Sequence, residues 1–306
     1  MRAERGHLTH LPLFHTNAQV YSVLAALWAG SHVVLMPRFS ASRFWPVSQK
    51  HGATWTSMVP FCVKALLAQP LPVSHSYRFW GNAVCEPAWD KHFGVKTIGW
   101  WGMTETIAHG TVGSARQPDA PMSMGRPAPG YEIHVLDDNG EPVRPGEAGD
   151  LFVGGVRGVS LFKEYASDPD ATTAAFREDG LFITGDRVRR GFDGFLYFSD
   201  RSKDMLKVGG ENVAASEIER VIAGVPGVAE VAVVAKKHPM LDEAPVAFVI
   251  AQDGAAADLE ARILSACAHA LATFKQPHEV RLVPSLPRST LEKVAKAELR
   301  ALLVDG

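Results

Sequence analysis

The strongest constraint on the fold is an alternation. From residue 8 to about 101, short apolar runs take turns with longer amphipathic ones. Residues 8–14, 32–37, 54–59, 78–80 and 95–100 read as strands, and residues 19–29, 41–50, 61–68 and 86–93 as helices. Strands that alternate with helices return in one direction, so the pattern predicts a mainly parallel, doubly wound α/β sheet. Thr16 and Gln19 have the spacing of a capping box, in which the hydroxyl and the side-chain amide each meet a free backbone donor. That places His15 on the loop at the carboxyl end of a strand, where open parallel sheets bind ligands.

The chain has 306 residues, 46% of them apolar, enough to bury a large core and divide into about two domains. Its net charge of -2, with acids and bases interspersed, leaves no broad basic face for a nucleic acid or an anionic membrane. The three cysteines, Cys62, Cys85 and Cys267, have no metal-ligand spacing and read as reduced packing residues. The most apolar early run, residues 20–36, is broken by Ser22, Gly30, Ser31 and His32, so it is neither a signal peptide nor a membrane span. A cytoplasmic location is expected.

Residues 119–199 change character. Glycine and proline punctuate short alternating runs at 131–136, 150–153 and 194–198, which predicts antiparallel β structure. After Asp200, Ser216 and Glu219 read as the cap of a helix carrying Ile218, Val221 and Ile222. Strands at 230–235 and 245–250 follow, and then Leu259, Ile263, Leu264, Cys267 and Leu271 on one helical face. A strand at 279–283 and a helix from about Lys293 complete a small α+β unit. The predicted organisation is a large domain over 1–199 (α/β to about 118, β-rich from 119), a hinge at 200–203 and a lid domain over 204–306.

Four segments carry candidate chemistry, each with a plainer structural reading. "GWWGMTET", residues 99–106, follows a predicted parallel strand. There Glu105 can hold Mg2+, the Thr104 hydroxyl can meet a phosphate and Trp101 can stack on a purine; equally, it is a buried aromatic pair before a helix capped by Thr104. "LFITGDRV", residues 181–188, ends an apolar strand with a turn whose Asp186 can accept both hydroxyls of a ribose, or is a simple turn. "FSDRSKDMLKVGGEN", residues 198–212, sets Arg201, Lys203 and Lys207 at the domain junction, ahead of Gly209 and Gly210, where a thin ligand can pass close to the backbone; a solvated linker is the alternative. "LPRSTLEKVAKAELR", residues 286–300, puts Lys293 at a helix start, where it neutralises developing negative charge or joins a charged surface helix.

Taken together and in this order, "LPLFH", "WWGMTET", "ITGD", "DRSKDMLKVGGEN" and "LPRSTLEK" resemble the adenylate-forming enzymes, over essentially the whole chain. Within them "FSASRFW", "GMTETI", "LFKEY", "DEAPVAFV" and "FKQPHEV" are most similar to the carnitine/crotonobetaine CoA ligase group. The resemblance implies an acyl-CoA ligase, which joins a small carboxylic acid to ATP as an acyl-adenylate, releases pyrophosphate and passes the acyl group to CoA.

It also implies roles for individual residues. Trp101 takes the adenine-stacking position, with Gly102 and Met103 beside it; Thr104 takes the phosphate position and Glu105 the Mg2+ position. Gly81, Asn82 and Ala83 line the adenine and acyl pocket. Asp186 and Arg201 reach the ribose, and His15 stands by the acyl group. Asp200 is the hinge of the small domain, Lys293 serves adenylation, Gly209 and Gly210 line the pantetheine path of the CoA-binding state, and Lys207 is among the cofactor-binding residues.

Two departures bear on adenylation. The family's Ser/Thr/Gly-rich phosphate loop, expected ahead of "LPLFH", has no counterpart in this sequence, so the resemblance is to the later part of a ligase. Glu292 also stands where the family usually has glycine before the final lysine, and its carboxylate can draw Lys293 away. The expectation is therefore a ligase impaired in adenylation, or a non-catalytic nucleotide or acyl-CoA binding remnant that self-associates or needs its missing half as a partner. A dinucleotide oxidoreductase fits poorly, because no Gly-x-Gly-x-x-Gly follows a first strand.

Overall fold

In a computed structural model, which describes residues 6–201, 204–209, 211–289 and 293–303, the alternation becomes a seven-stranded sheet. Strands β1 (Gly6–Thr9), β2 (His32–Leu35), β3 (Ala53–Ser57), β4 (Phe79–Asn82) and β5 (Lys96–Trp101) run parallel. The antiparallel β6 (Thr111–Val112) and β7 (Arg126–Pro127) extend one edge, and the order is β2-β1-β3-β4-β5-β6-β7. The first crossover, α1, is a π-helical stretch, Asn17–Leu24, running into α-helical Ala25–Trp28; α2 (Ala41–Lys50), α3 (Pro60–Leu67) and α4 (Pro87–Phe93) are the others.

The sheet is covered on both faces. Leu8 and Trp80 pack with Phe44 and Trp45 of α2, Val63 and Leu66 of α3 and Phe93 of α4. Across the pleat the Trp55 ring meets His7, Phe79 and Trp100, and Trp100 meets Tyr21 of α1. Two-sided burial is why the parallel strands read as short apolar runs instead of alternating ones.

Several local expectations are corrected. The first strand stops at Thr9, and Pro12 begins a turn that the His15 amide closes by donating to the Pro12 carbonyl at 3.0 Å. Thr16 and Gln19 form no capping box. Thr16 is already helical, with φ -49°, and its side chain makes no cap hydrogen bond, so its hydroxyl is not presented to the amides ahead of it. The fourth strand begins at Phe79 and runs on to Asn82.

A second sheet, in the antiparallel order β11-β10-β9-β8, follows. It consists of β8 (Glu132–Leu136), β9 (Ala148–Gly154), β10 (Phe182–Arg190) and β11 (Leu196–Arg201). A short helix, α5 (Pro169–Ala174), which the sequence pattern does not announce, is capped by Asp168 accepting from the Ala171 amide at 2.9 Å.

The chain divides into two compact units between Phe198 and Ser199. In the second, β12 (Met205–Val208), β13 (Glu211–Ala214), β14 (Val228–His238) and β15 (Asp242–Ala251) form the order β13-β12-β15-β14, and β16 (Glu279–Leu282) joins β15 in parallel. Val233, Ala247 and Val249 pack with α6 (Ala215–Ala223) and α7 (Leu259–Ala270). Ala232, Val234, Val246 and Phe248 pack on the other face with Leu299 of α8 (Lys296–Ala301).

Three expectations fail here. Ser216 and Glu219 do not cap α6: Ala214 occupies that position, the Ser216 hydroxyl donates to the Ser199 carbonyl at 2.6 Å, and the Glu219 carboxylate accepts from the Val233 amide at 2.7 Å. Leu264 is 39% exposed and off the buried stripe of α7. The last helix starts at Lys296, so Lys293 precedes it in an extended segment, where its carbonyl accepts from the Ser289 amide at 2.8 Å.

Candidate nucleotide and metal site

β5 carries "GWWGMTET" to the carboxyl edge of the parallel sheet, and successive side chains leave it in different directions. Trp100 faces α1, 5.5 Å from the Tyr21 ring and 4.4 Å from His109, which itself stacks on Tyr21 at 3.7 Å. Its ring lies over Gly81, where an added Cβ would fall 1.6 Å from it. Gly81 is therefore a site of close packing. Next to it Asn82 is fully buried at the end of β4, and among the described residues neither atom of its side-chain amide has a hydrogen-bond partner. Ala83 follows, exposed.

Trp101 turns towards the second sheet and packs with Met124, Val153 and Phe182. It is 7% exposed, and its indole N–H donates to the Asp186 carboxylate at 2.7 Å. This bond depends on an irregularity. Ile183 pairs with Phe152 and Arg187 with Asp150, so Thr184, Gly185 and Asp186 stand opposite Leu151 alone in a bulge of β10. Gly185 takes φ +70°, the Thr184 hydroxyl donates to the Leu151 carbonyl at 2.7 Å, and the Asp186 amide donates back to that hydroxyl at 3.1 Å. The predicted strand-ending turn is thus a bulge within a longer strand, and it aims Asp186 at Trp101.

Gly102 and Met103, both half-buried, lead into a single 3-10 turn, Thr104–Thr106, instead of a helix. The turn is closed by Thr106: the Met103 amide donates to its hydroxyl at 3.0 Å, leaving Thr104 exposed. Ile107 follows at φ +57°, a left-handed conformation costly for a β-branched residue and held here by its surroundings. Glu105, half-buried, is gripped twice. Its carbonyl accepts from the Phe162 amide at 2.7 Å, and its carboxylate accepts from the Tyr165 hydroxyl at 2.9 Å. Burial and then the neighbouring Glu105 push the Tyr165 phenol up to about 12, so at neutral pH it is a donor.

Among the described residues no three His, Cys, Asp or Glu side chains converge. One carboxylate with a hydroxyl nearby suits Mg2+, which keeps several waters and completes its shell with substrate phosphates.

His15 lies half-buried on the loop between β1 and α1, its ring 4.5 Å from Phe14. Burial lowers His109 and His10 to about 4, so both are neutral at pH 7. Asp200 and Arg201 end the backbone of β11. In the second unit Lys207 is exposed on β12, and its amide donates to the Glu243 carboxylate at 2.7 Å. Gly209 takes φ +61° in the turn after that strand. Gly210 and Glu292 lie outside the described residues, and Lys293 is exposed.

Sequence reasoning missed Tyr165 and Thr184, because each acts through a partner distant in sequence or through a bulge with no signature, and it gave the capping role to Thr104 where the Thr106 hydroxyl closes the turn. In the second unit Lys207, Lys237, His238, Asp242 and Glu243 line an open depression of about 520 Å³. Among the described residues no helix is long and apolar enough to cross a membrane.

Comparisons with known proteins point to one family. The family described as AMP-binding enzyme matches residues 2–166, and the AMP-binding enzyme C-terminal domain matches 217–293. The crotonobetaine/carnitine–CoA ligase of Salmonella typhi is 34% identical over 310 residues, and that of Escherichia fergusonii 36% over 315. In each case the match covers 98% of this chain but 59% of the relative, so the chain spans about three-fifths of the length of these relatives.

Among solved structures, ATP-bound MatB from Rhodopseudomonas palustris superposes with a TM-score of 0.91 at 30% identity, covering 98% of this chain and 60% of that one. The O-succinylbenzoate coenzyme A synthetase of Bacillus subtilis, in complex with ATP and magnesium ion, superposes with a TM-score of 0.83 at 28% identity, covering 100% and 62%. With a parallel-rich sheet, and with both family models matched in order along its length, the chain belongs to the AMP-binding enzyme family.

Proposed function

We propose that this chain carries the nucleotide and metal side of an ATP-dependent acyl-CoA ligase. The observation that carries the reading is the Trp101–Asp186 hydrogen bond, which brings a purine-stacking ring and a ribose-binding carboxylate together three residues from Thr104 and four from Glu105. In the first step a carboxylate oxygen of the acid attacks the α-phosphorus of ATP. A P–O bond forms, the bond to the bridging oxygen breaks, and pyrophosphate leaves with the electron pair. In the second, the CoA sulfur attacks the acyl carbon, its proton passes to solvent and AMP departs.

Trp101 stacks on the adenine, Asp186 and Arg201 accept or steady the ribose, and Thr104 donates to a phosphate oxygen. Glu105 would hold Mg2+, which supplies charge neutralisation on the phosphates. His15, Gly81, Asn82 and Ala83 bound the acyl group. Lys293 offsets charge on the reacting carboxylate and α-phosphate, and Lys207, Gly209 and Gly210 line the CoA path. Asp200 is the hinge that allows the second unit to serve each step in turn.

Purified chain is assayed for acid-dependent ATP/pyrophosphate exchange and then offered a presynthesised acyl-adenylate with CoA. Exchange together with thioester formation supports the full reading. Thioester formation alone identifies a chain impaired in adenylation, and nucleotide binding with neither reaction identifies a binding module. Absence of nucleotide binding overturns the proposal. The expectation of a partner rests on α1, where Leu24, Leu27 and Trp28 are 55%, 64% and 95% exposed; a monodisperse monomer by light scattering refutes it.

A further inference from the structure

We propose that Tyr165 is a positioning residue for the metal-binding carboxylate: its hydroxyl fixes one oxygen of Glu105 and so turns the other towards the cation. The inference rests on Glu105 as the Mg2+ residue and gives "LFKEY" a function through its tyrosine.

Glu105 sits on a single 3-10 turn, a short element that alone holds a long side chain loosely. Two bonds from residues far along the chain remove that freedom. The Phe162 amide holds the Glu105 carbonyl and the Tyr165 hydroxyl holds its carboxylate, at 2.7 and 2.9 Å. Among the described residues it is Tyr165 that donates a hydrogen bond to this carboxylate.

The 162–165 segment is itself anchored. The Phe162 ring lies 4.6 Å from that of Tyr165, is stacked on Phe176 at 5.4 Å and meets Phe182 edge-on at 5.6 Å. Phe182 is 1% exposed on β10, the strand whose bulge presents Asp186. The metal carboxylate and the ribose carboxylate are thus braced by one aromatic cluster. A phenol suits this role because it donates one hydrogen bond, brings no positive charge to compete with the cation, and leaves the second carboxylate oxygen open.

The test is Mn2+ binding to the full chain in the presence of ATP, read by electron paramagnetic resonance, for the wild type, Tyr165→Phe, Glu105→Gln and the double variant. Tyr165→Phe keeps the ring on Phe162 and removes the donor. It is expected to weaken Mn2+ affinity about tenfold, the scale of one hydrogen bond to a charged group, while the double variant binds no more weakly than Glu105→Gln alone. Tyr165→His, which restores a ring N–H, is expected to recover part of the loss.

If Glu105→Gln weakens binding and Tyr165→Phe does not, this inference is wrong and the reading of Glu105 stands. If Glu105→Gln has no effect, both fall. A merely structural Tyr165 would lower the melting temperature and leave Mn2+ affinity unchanged. A measurement on unmodified protein guards against a variant that does not fold. Bound Mn2+ is expected to broaden the Tyr165 ring resonances at the concentrations that saturate the site, and sharp resonances at saturation overturn the proposal.

Discussion

The bond between Trp101 and Asp186 can be tested apart from any activity. Trp101 is 7% and Asp186 5% exposed, so their hydrogen bond of 2.7 Å is shielded from water, and its loss leaves a buried carboxylate one donor short. Hydrogen bonds to charged groups contribute about 1.5–3 kcal/mol. Trp101→Phe keeps an aromatic ring against Val153 and Phe182 but loses the N–H and part of the packing, for a total cost of about 3 kcal/mol. Asp186→Ala leaves the indole N–H unpaired and costs about 1–3 kcal/mol. In the double variant neither orphan remains, so the two costs should fall short of additivity by about 2 kcal/mol. Denaturant unfolding of the four proteins, followed by near-UV circular dichroism, measures that coupling. Costs that add to within about 0.5 kcal/mol would mean that the two groups do not depend on each other, and would remove the observation on which the proposed function stands.

Other outcomes follow from the same geometry. Gly81→Ala drives a methyl into the Trp100 ring, where the added Cβ falls 1.6 Å away, and is expected to cost about 1–3 kcal/mol; combining it with Trp100→Ala should relieve the clash, and a Gly81→Ala protein that melts like wild type refutes the packing. His10 is 3% exposed and lowered by burial from 6.5 to about 4. The unfolded chain therefore takes up its proton first as pH falls, and the stability this residue confers is complete above pH 6.5 and lost progressively towards pH 4. At pH 5 the loss is about 2 kcal/mol relative to neutral pH, and His10→Phe should remove that share of the acid sensitivity seen in melts at pH 7.5 and 5. Lys293→Ala should abolish acid-dependent exchange and spare thioester formation from presynthesised adenylate; equal loss of both would contradict its assignment to the first step.

Much of this architecture was legible in the sequence because it is local. The alternation of residues 8 to 101 encodes the five parallel strands, since strands buried on both faces must be apolar and amphipathic crossovers must carry their own periodicity. The order of motifs likewise identified the family, and Trp101, Thr104 and Glu105 lie at the strand end where "GWWGMTET" placed them.

Tertiary contacts decided the rest. Thr16 and Ser216 have the residue types of helix caps but not the backbone geometry that would make them so, because a cap depends on dihedral angles set by the flanking chain. "ITGD" reads as a turn by composition and is a bulge, because pairing with β9 continues on both sides of it. Trp101 met Asp186 and Glu105 met Tyr165 across 85 and 60 residues, where sequence spacing carries no geometric information. What the sequence determined by itself was which residue types stand at the edge of the sheet; only the tertiary packing of the second sheet and its loops decided which of them touch, because a hydrogen bond needs an aimed partner within about 3 Å and no local preference can aim one.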